Sequence, residues 1–395
     1  MEILPRKEPA GPLGHRGSPK IVQSRPHKVS SVESTIALAL NVNYTKIFRF
    51  AYPYFIAAPN VLVYRFSFTH NLIRYTTKPV AQNWERINMQ PFHIAATGYS
   101  LNYLPEYIAL RHGFFREQGL DVTVHIPTPW DGVLDALADG SATMCLGGIW
   151  VPSMYRNRVQ SYTVFAQIAN RAPLALIRRA SDKCFKLSEV AGRTVLVNSS
   201  GGASFGFFFK MLLRENGVDA RSVDYIQDLG GEMLGNLFQG GMGDYFVTDS
   251  LSAQAMVACN SDVAIAMHMI TQDDVPWSVY YRETATITPE ILDAQKRFFI
   301  ALQKGIDWVL LHDAESFQDE LSELFPNIPI DVAVSVTNDF RRNGMWTTTS
   351  VPRGGYDRWQ LGLRDACLIT EPIVYEDLVD NAPSAAAQIS VKASS

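Results

Sequence analysis

The stretch Phe92–Gly148, FHIAATGYSLNYLPEYIALRHGFFREQGLDVTVHIPTPWDGVLDALADGSATMCLGG, decides how this chain folds. Phe92–Thr97 is apolar and short, the pattern of a buried strand, and Tyr99–Tyr103 follows as a loop. Leu104-Pro105 opens an amphipathic helix to His112: proline sits in the first turn, where its missing N–H is harmless, and Gly113 follows the last turn. Leu120–Ile126 (LDVTVHI) alternates as a strand does. Trp130–Asp139 sets Val133, Leu134, Leu137 and Ala138 at helical spacing, and Gly140 ends it. Ala142–Leu146 is then a buried strand running into Gly147-Gly148. Such a β-α-β-α-β run predicts a parallel sheet with right-handed crossovers.

The same rhythm returns downstream. Strands are predicted at Ser161–Ala169, Pro173–Arg178, Thr194–Val197, Val223–Ile226, Tyr245–Thr248, Val263–Met267 and Ser278–Arg282, with helices at Phe205–Asn216, Gly231–Gln239 and Ser250–Val257. From Pro289 to Asp380 the pattern turns mostly helical: Pro289–His312, Ala314–Leu324, Ile330–Phe340 and Tyr356–Ala366. The repetition lies at the level of two α/β lobes.

At 395 residues, length alone suggests two or three domains, and 47% hydrophobic against 19% charged residues excludes wholesale disorder. The net charge of −4 is too small for a nucleic-acid footprint. That charge is unevenly spread. Residues 1–88 hold 12 Lys and Arg against 4 Glu, a surplus of +8, which leaves a body at −12. Residues 5–30 are rich in Pro, Gly, Ser and basic residues without any period, so the leader is expected to be poorly ordered. Its one apolar segment, Phe50–Tyr64, is broken by Pro53 and Pro59 and falls short of the roughly 20 residues a spanning helix needs, so no stable membrane insertion is expected. The first residues lack the apolar core of a secretory signal, which points to a cytoplasmic protein; a transit peptide, and a natural start at Met89, both stay open. Cys145, Cys184, Cys259 and Cys367 are too scattered for a disulfide framework or a zinc site, in keeping with a reducing compartment.

Several segments together resemble one family. Tyr107–Val122 (YIALRHGFFREQGLDV) is similar to the glycine-, Phe-Phe- and Gly-Leu-Asp-Val-bearing signature of the SsuA/THI5-like (NMT1/THI5) substrate-binding proteins. Asp131–Leu146, Leu187–Asn198 (LSEVAGRTVLVN), Val247-Thr248-Asp249 and Trp359–Asp380 resemble further family segments in the same order. The resemblance covers about residues 91–382. It implies an α/β, two-lobed architecture of the type II periplasmic-binding-protein kind, with parallel-sheet lobes and the ligand between them. Lobe one is then 89–172 with 283–382, lobe two 173–282, the crossovers are Pro173–Arg178 and Ser278–Arg282, and 383–395 is a disordered tail.

Ser199-Ser200-Gly201-Gly202-Ala203-Ser204, between a strand and a helix, is the strongest candidate ligand contact. Hydroxyls and first-turn N–H groups favour a carboxylate, sulfonate or phosphate, and glycines allow close approach; a plain capped helix is the rival account. Tyr99, Asn102 and Tyr103 offer aromatic walls and an amide to a planar ligand body. Gly147, Gly148 and Trp150 follow a buried strand at its carboxyl end, where open α/β sheets bind ligands, though Trp150 suits a core equally well. Asp249 either accepts from a ligand or caps the next helix, Trp277 stands just before a crossover strand, and Arg171 offers a cation. His93, His125 and His268 fall in strand patterns and are expected to pack; His112 suits a helix C-terminus and Cys145 a buried strand. No catalytic set assembles from these residues, and no metal or cofactor is indicated.

The resemblance also carries a departure. The thiamine-pyrimidine branch of the family has a lysine just after the buried strand and a histidine four residues on; the matching positions here are Gly147 and Val151. Without that lysine no internal aldimine to pyridoxal phosphate forms, which puts that activity in doubt. The expectation is a protein binding a small anionic, aromatic or heterocyclic metabolite in an interlobe cleft. Two alternatives stay open: an intracellular enzyme on the same scaffold, for example a decarboxylase of cofactor or specialised metabolism, and the substrate-binding component of an ABC transporter. Oligomeric state is left open.

Overall fold

The computed structural model describes residues 72–75, 89–156, 158, 160–181, 183–199, 203–227, 229–385 and 387. In chain order its strands are β1 (Leu72–Tyr75), β2 (Gln90–Ala96), β3 (Leu120–Pro127), β4 (Met144–Gly147), β5 (Tyr162–Ala169), β6 (Leu174–Arg179), β7 (Thr194–Val197), β8 (Asp224–Ile226), β9 (Tyr245–Asp249), β10 (Val263–His268) and β11 (Ser278–Glu283). They form two sheets, β1-β3-β2-β4-β11-β5 in lobe one and β10-β6-β9-β7-β8 in lobe two.

The opening β-α-β-α-β run behaves as its periodicity predicts: β2 pairs in parallel with β3 and with β4. In lobe two β7 is likewise parallel to β8 and β9. The sheets are nevertheless mixed, because β11 runs antiparallel to β4 and β5, and β6 antiparallel to β9 and β10. The cause is topological. A chain that leaves lobe one through β5 and returns beside it through β11 must travel in the opposite direction.

That path also moves the crossovers. All of β6 belongs to the second sheet and all of β11 to the first, so the segments that cross are 170–173 and 269–277. They are hydrogen-bonded to each other, Val275 N–H to the Asn170 carbonyl at 3.1 Å and Trp277 N–H to the Ala169 carbonyl at 2.9 Å. Arg171 pairs with Asp274 at 2.6 Å, so its charge braces the two crossing segments.

Two further expectations change. Residues 72–75, assigned to the leader, form edge strand β1, antiparallel to β3. The supposed tail, 383–395, is packed at its start, where Ser384 and Ala387 are buried; just before it Asp380 accepts from buried Arg282 at 2.9 Å. The segments 5–30 and Phe50–Tyr64, and residues beyond 387, lie outside the described residues. Among the described residues no helix is long and apolar enough to cross a membrane.

Helices cover both sheets. In lobe one Leu104–Arg111 packs on the long helix Pro289–Leu311, where Gly305 meets the Pro105 carbonyl and the Ala109 Cβ. A methyl at Gly305 would drive into backbone that cannot yield cheaply, so Gly305→Ala should lose about 1–3 kcal/mol of stability in urea unfolding. Gly354, with open space around it, serves as the control: Gly354→Ala should be neutral or slightly stabilising.

Candidate functional site

Between the sheets lies a cavity of about 470 Å³. Lobe one supplies Thr97–Tyr103 after β2, Gly148 after β4, and Trp277 and Ser278 at the start of β11. Lobe two supplies Asn198 after β7, Ser204 and Phe205 at the start of the helix Ser204–Glu215, and Asp249, Leu251 and Ser252 where β9 turns into the helix Ser250–Cys259. Pro173 closes the crossing side, and the turn Leu324–Ile328 adds a further wall.

The polar groups are held in place before any ligand arrives. Asn102 is buried; its Nδ2 donates to Ser278 Oγ at 3.2 Å, its Oδ1 accepts from Ser100 Oγ, and its carbonyl accepts from Trp346 Nε1 at 3.0 Å. Across the cavity Asn198 Nδ2 donates to Thr248 Oγ1 at 3.2 Å. Burial pushes the Tyr103 phenol above its ordinary range, against the pull of hydrogen bonds to Thr97 and Ser278, so it stays a neutral hydroxyl. Tyr99 stacks on Tyr107 at 4.6 Å and donates to the Leu324 carbonyl at 3.1 Å, tying the first loop to the Leu324–Ile328 turn. Among the described lining residues none is Lys, Arg or His, and Asp249 is the one carboxylate. Asp249 Oδ1 accepts from Ser252 N–H at 2.8 Å, which caps the helix Ser250–Cys259.

Of the residues singled out in the sequence, the cavity gathers Tyr99, Asn102, Tyr103, Gly148, Ser204, Asp249 and Trp277. Trp277 meets Phe205 at 6.1 Å and Phe208 at 5.6 Å, an aromatic wall continuous with the core. Gly147 does not line the cavity; a Cβ there would meet Thr97 Cγ2 at 2.8 Å, so the glycine serves close packing. Trp150 packs into the core against Trp130 and Phe207, at 5.7 and 5.5 Å. Its six-residue helix, Trp150–Tyr155, has too few residues to display a period, and sequence alone left it unseen. Ser199 points elsewhere, donating to the Leu229 carbonyl at 3.3 Å. Ser200, Gly201 and Gly202 lie outside the described residues. His93 and His268 are exposed rather than packed: His268 ends edge strand β10, and His93, within β2, has its Nδ1 at 2.6 Å from Thr123 Oγ1 on β3.

The lining also includes residues that sequence reasoning missed: Thr97, Ser100, Asn198, Ser252, Ser278 and the Leu324–Ile328 turn. Thr97, Asn198 and Ser278 each border a strand terminus on the cavity side, a positional signal that was available. The Leu324–Ile328 turn is far away in sequence and only the fold brings it in.

A family model described as NMT1/THI5 like matches residues 100–316, more than half of the chain. The chain belongs to this family. It is 25% identical over 246 residues, 60% of this chain and 72% of the relative, to YtlA of Bacillus subtilis (strain 168), which carries the name of a candidate binding protein. Among solved structures it is similar to a periplasmic sulfonate-binding protein, SsuA, from Methylobacillus flagellatus KT, with a TM-score of 0.58, 13% identity, and 77% of this chain and 96% of that one covered. It is similar too to the desulfurization enzyme DszB, with a TM-score of 0.55, 13% identity, and coverage of 76% and 99%. At such identities the structural likeness establishes the fold, a periplasmic-binding-protein architecture, and that scaffold carries both a binder and an enzyme.

The hydrogen bonds around Asn102 make it the position most costly to lose. Asn102→Ala strands Ser100 and Ser278 while keeping the backbone carbonyl that Trp346 Nε1 uses, and should cost about 1–3 kcal/mol in urea unfolding. Ser199→Ala, outside the cavity, should stay within about 0.5 kcal/mol.

Proposed function

We propose that this chain is a small-molecule-binding protein whose interlobe cleft takes a metabolite with an anionic head on an aromatic or heterocyclic body. The observation that carries the proposal is the convergence of neutral donors from both lobes on one cavity whose far wall is the start of the helix Ser204–Glu215. Ala203, at the N-cap of that helix, has no side-chain acceptor for the first-turn N–H groups, and Ser204 and Phe205 face the cavity. Backbone N–H groups at a helix start, with hydroxyl and amide donors, hold carboxylates, sulfonates and phosphates without a counter-cation. Asp249 opposes an anion, but its carboxylate is turned to the cap of its own helix. Trp277, Phe205 and Tyr99 offer faces to a flat ligand body. The names of YtlA and SsuA support binding, and that of SsuA a sulfonate-like head.

The test is thermal unfolding of the full chain with alkyl and aryl sulfonates, aromatic carboxylates, pyridoxal phosphate and pyrimidines, followed by mass spectrometry of what elutes. A true ligand at a hundredfold excess over its Kd should raise Tm by about 5 °C, and Ser204→Ala should lessen the rise. If no sulfonate, carboxylate or phosphate shifts Tm, the anionic-head assignment fails. Recovery of a chemically altered ligand would turn the assignment from binder to enzyme.

A further inference from the structure

Asn102, Asn198 and Asp249 border the cleft with bonds already made, to Ser278, Thr248 and Ser252. Ser204 and Trp277 differ. Both line the cavity and are only 8% and 7% exposed, yet neither the Ser204 hydroxyl nor the Trp277 indole N–H has a hydrogen-bond partner among the described residues. Trp359 makes the contrast: its indole nitrogen also lacks a partner but is sealed inside the packing, away from the cavity. The Trp277 nitrogen is not sealed, and the cavity is the open space beside it.

The two groups are neighbours. Ser204 and Phe208 stand four residues apart on the helix Ser204–Glu215 and so share one face, and Phe208 meets the Trp277 ring at 5.6 Å. Phe205 lies 6.1 Å and Trp359 6.2 Å from the same ring, and the backbone N–H of Trp277 is held by the Ala169 carbonyl at 2.9 Å. An indole packed by three rings has little freedom to turn, so the direction of its N–H is set before a ligand enters. An indole nitrogen can only donate. Water serves such a group in an open cleft, and a ligand that excludes the water has to bring an acceptor or leave the donor unpaired.

We infer that Trp277 is a specificity-determining donor of the cleft: its indole N–H bonds one oxygen of the ligand's head, while the Ser204 hydroxyl and the helix start bond another. This rests on the anionic-head assignment above and narrows it to heads with two or more diverging acceptor oxygens, such as sulfonates, carboxylates and phosphonates. Trp277 ends the segment by which the chain returns to lobe one, and Ser204 belongs to lobe two, so a single head group bridges the two sides of the cleft. The indole edge thereby adds a directed bond to what its face offers the ligand body.

The experiment is calorimetric titration and nitrogen-15 NMR of the full chain, with tryptophan labelled at the indole nitrogen. The probes are benzenesulfonate, benzoate and phenyl methyl sulfone, the last a neutral molecule with two acceptor oxygens. The chain has seven tryptophans, and the Trp277 signal is identified by its loss in Trp277→Phe or, where that variant does not fold, by through-bond assignment. Benzenesulfonate should move that signal downfield in a saturable way. Trp277→Phe, which keeps an aromatic ring, should raise its Kd about tenfold and Ser204→Ala about fivefold, with folding checked by unliganded Tm. In the double variant the two losses should multiply; a double variant no weaker than Trp277→Phe overturns the two-oxygen head. Saturable binding of benzenesulfonate or benzoate with the Trp277 signal unmoved, or with Kd unchanged in Trp277→Phe, overturns the Trp277 inference and leaves the anionic head standing. Phenyl methyl sulfone binding as tightly as benzenesulfonate and moving the same signal would support the Trp277 donor and sink the anionic head. Absence of binding by every probe overturns both.

Discussion

The helix Ser204–Glu215 is packed by both lobes, and much of the architecture depends on that contact. Gly362, on the lobe-one helix Arg353–Asp365, lies against the Met211 side chain so closely that a Cβ could not be added without displacing it. Midway along the same helix Arg358 makes two bonds to Glu215, at 2.9 and 2.7 Å, and spans to the Asp273 carbonyl in the crossing segment. Phe208, Trp277 and Trp359 fill the space between, with Trp359 5.9 Å from Phe208 and 6.2 Å from Trp277. A helix of 12 residues is a rod of roughly 18 Å. One end of this rod faces the cleft at Ser204 and the other is held by lobe one at Glu215. Any separation of the lobes has to slide Met211 past Gly362 and break the Arg358 pair. The aromatic wall of the cleft and the packing between the lobes are thus the same set of side chains.

This coupling explains why most polar groups of the cleft are already paired. Each unsatisfied buried group costs about 1–3 kcal/mol, so most donors in walls that are also core are paired; the Trp359 indole N–H, without a hydrogen-bond partner among the described residues, is an exception. Asn102 is satisfied from three directions, by Ser100, Ser278 and Trp346, and Asn198 leans on Thr248. Behind the first wall Glu106 is fully buried and accepts from Tyr280 at 2.7 Å. The pairings fix the orientation of amides and hydroxyls, so a ligand meets donors whose rotamers are set by packing. What such a cleft presents to a ligand is a fixed pattern of donors and acceptors.

How much of this was legible in the sequence depended on how local the cause was. Strands such as Thr194–Val197 and helices such as Gly231–Gln239 were read to the residue, because hydrophobic period and glycine stops act over a few residues. The two-lobed plan followed from the repeat of that rhythm. The sense of the strands next to the crossings did not, since direction in β5, β6 and β11 is set by how the chain leaves and re-enters a lobe. The same holds for side chains. Tyr99, Asn102, Ser204 and Asp249 could be found from their place at the carboxyl ends of strands and the start of a helix. Arg171 could not be told from a ligand's counter-ion without Asp274, over a hundred residues away, and Trp150 could not be told from a wall without Trp130 and Phe207 beside it. The Leu324–Ile328 turn had no local mark at all.

Gly147 shows how such a distant cause reshapes a family resemblance. At the position where the thiamine-pyrimidine branch has its lysine, this chain has no side chain, and the sequence suggested a simple loss. The structure adds that the space is occupied. A Cβ at 147 would stand 2.8 Å from Thr97 Cγ2 and 3.7 Å from the Tyr281 hydroxyl, with β11 directly alongside. Thr97, at the end of β2, has its place in the cleft because Gly147 yields it. The next position, Gly148, then reaches the cavity as bare backbone beneath the Trp150 indole. Reinstating a lysine would require moving Thr97, and with it one of the hydrogen bonds that steady Tyr103. Gly147 thus lies behind the wall and Gly148 within it, and on this side the wall is built from Thr97 after β2 and Ser278 of β11 instead of from a long side chain on β4.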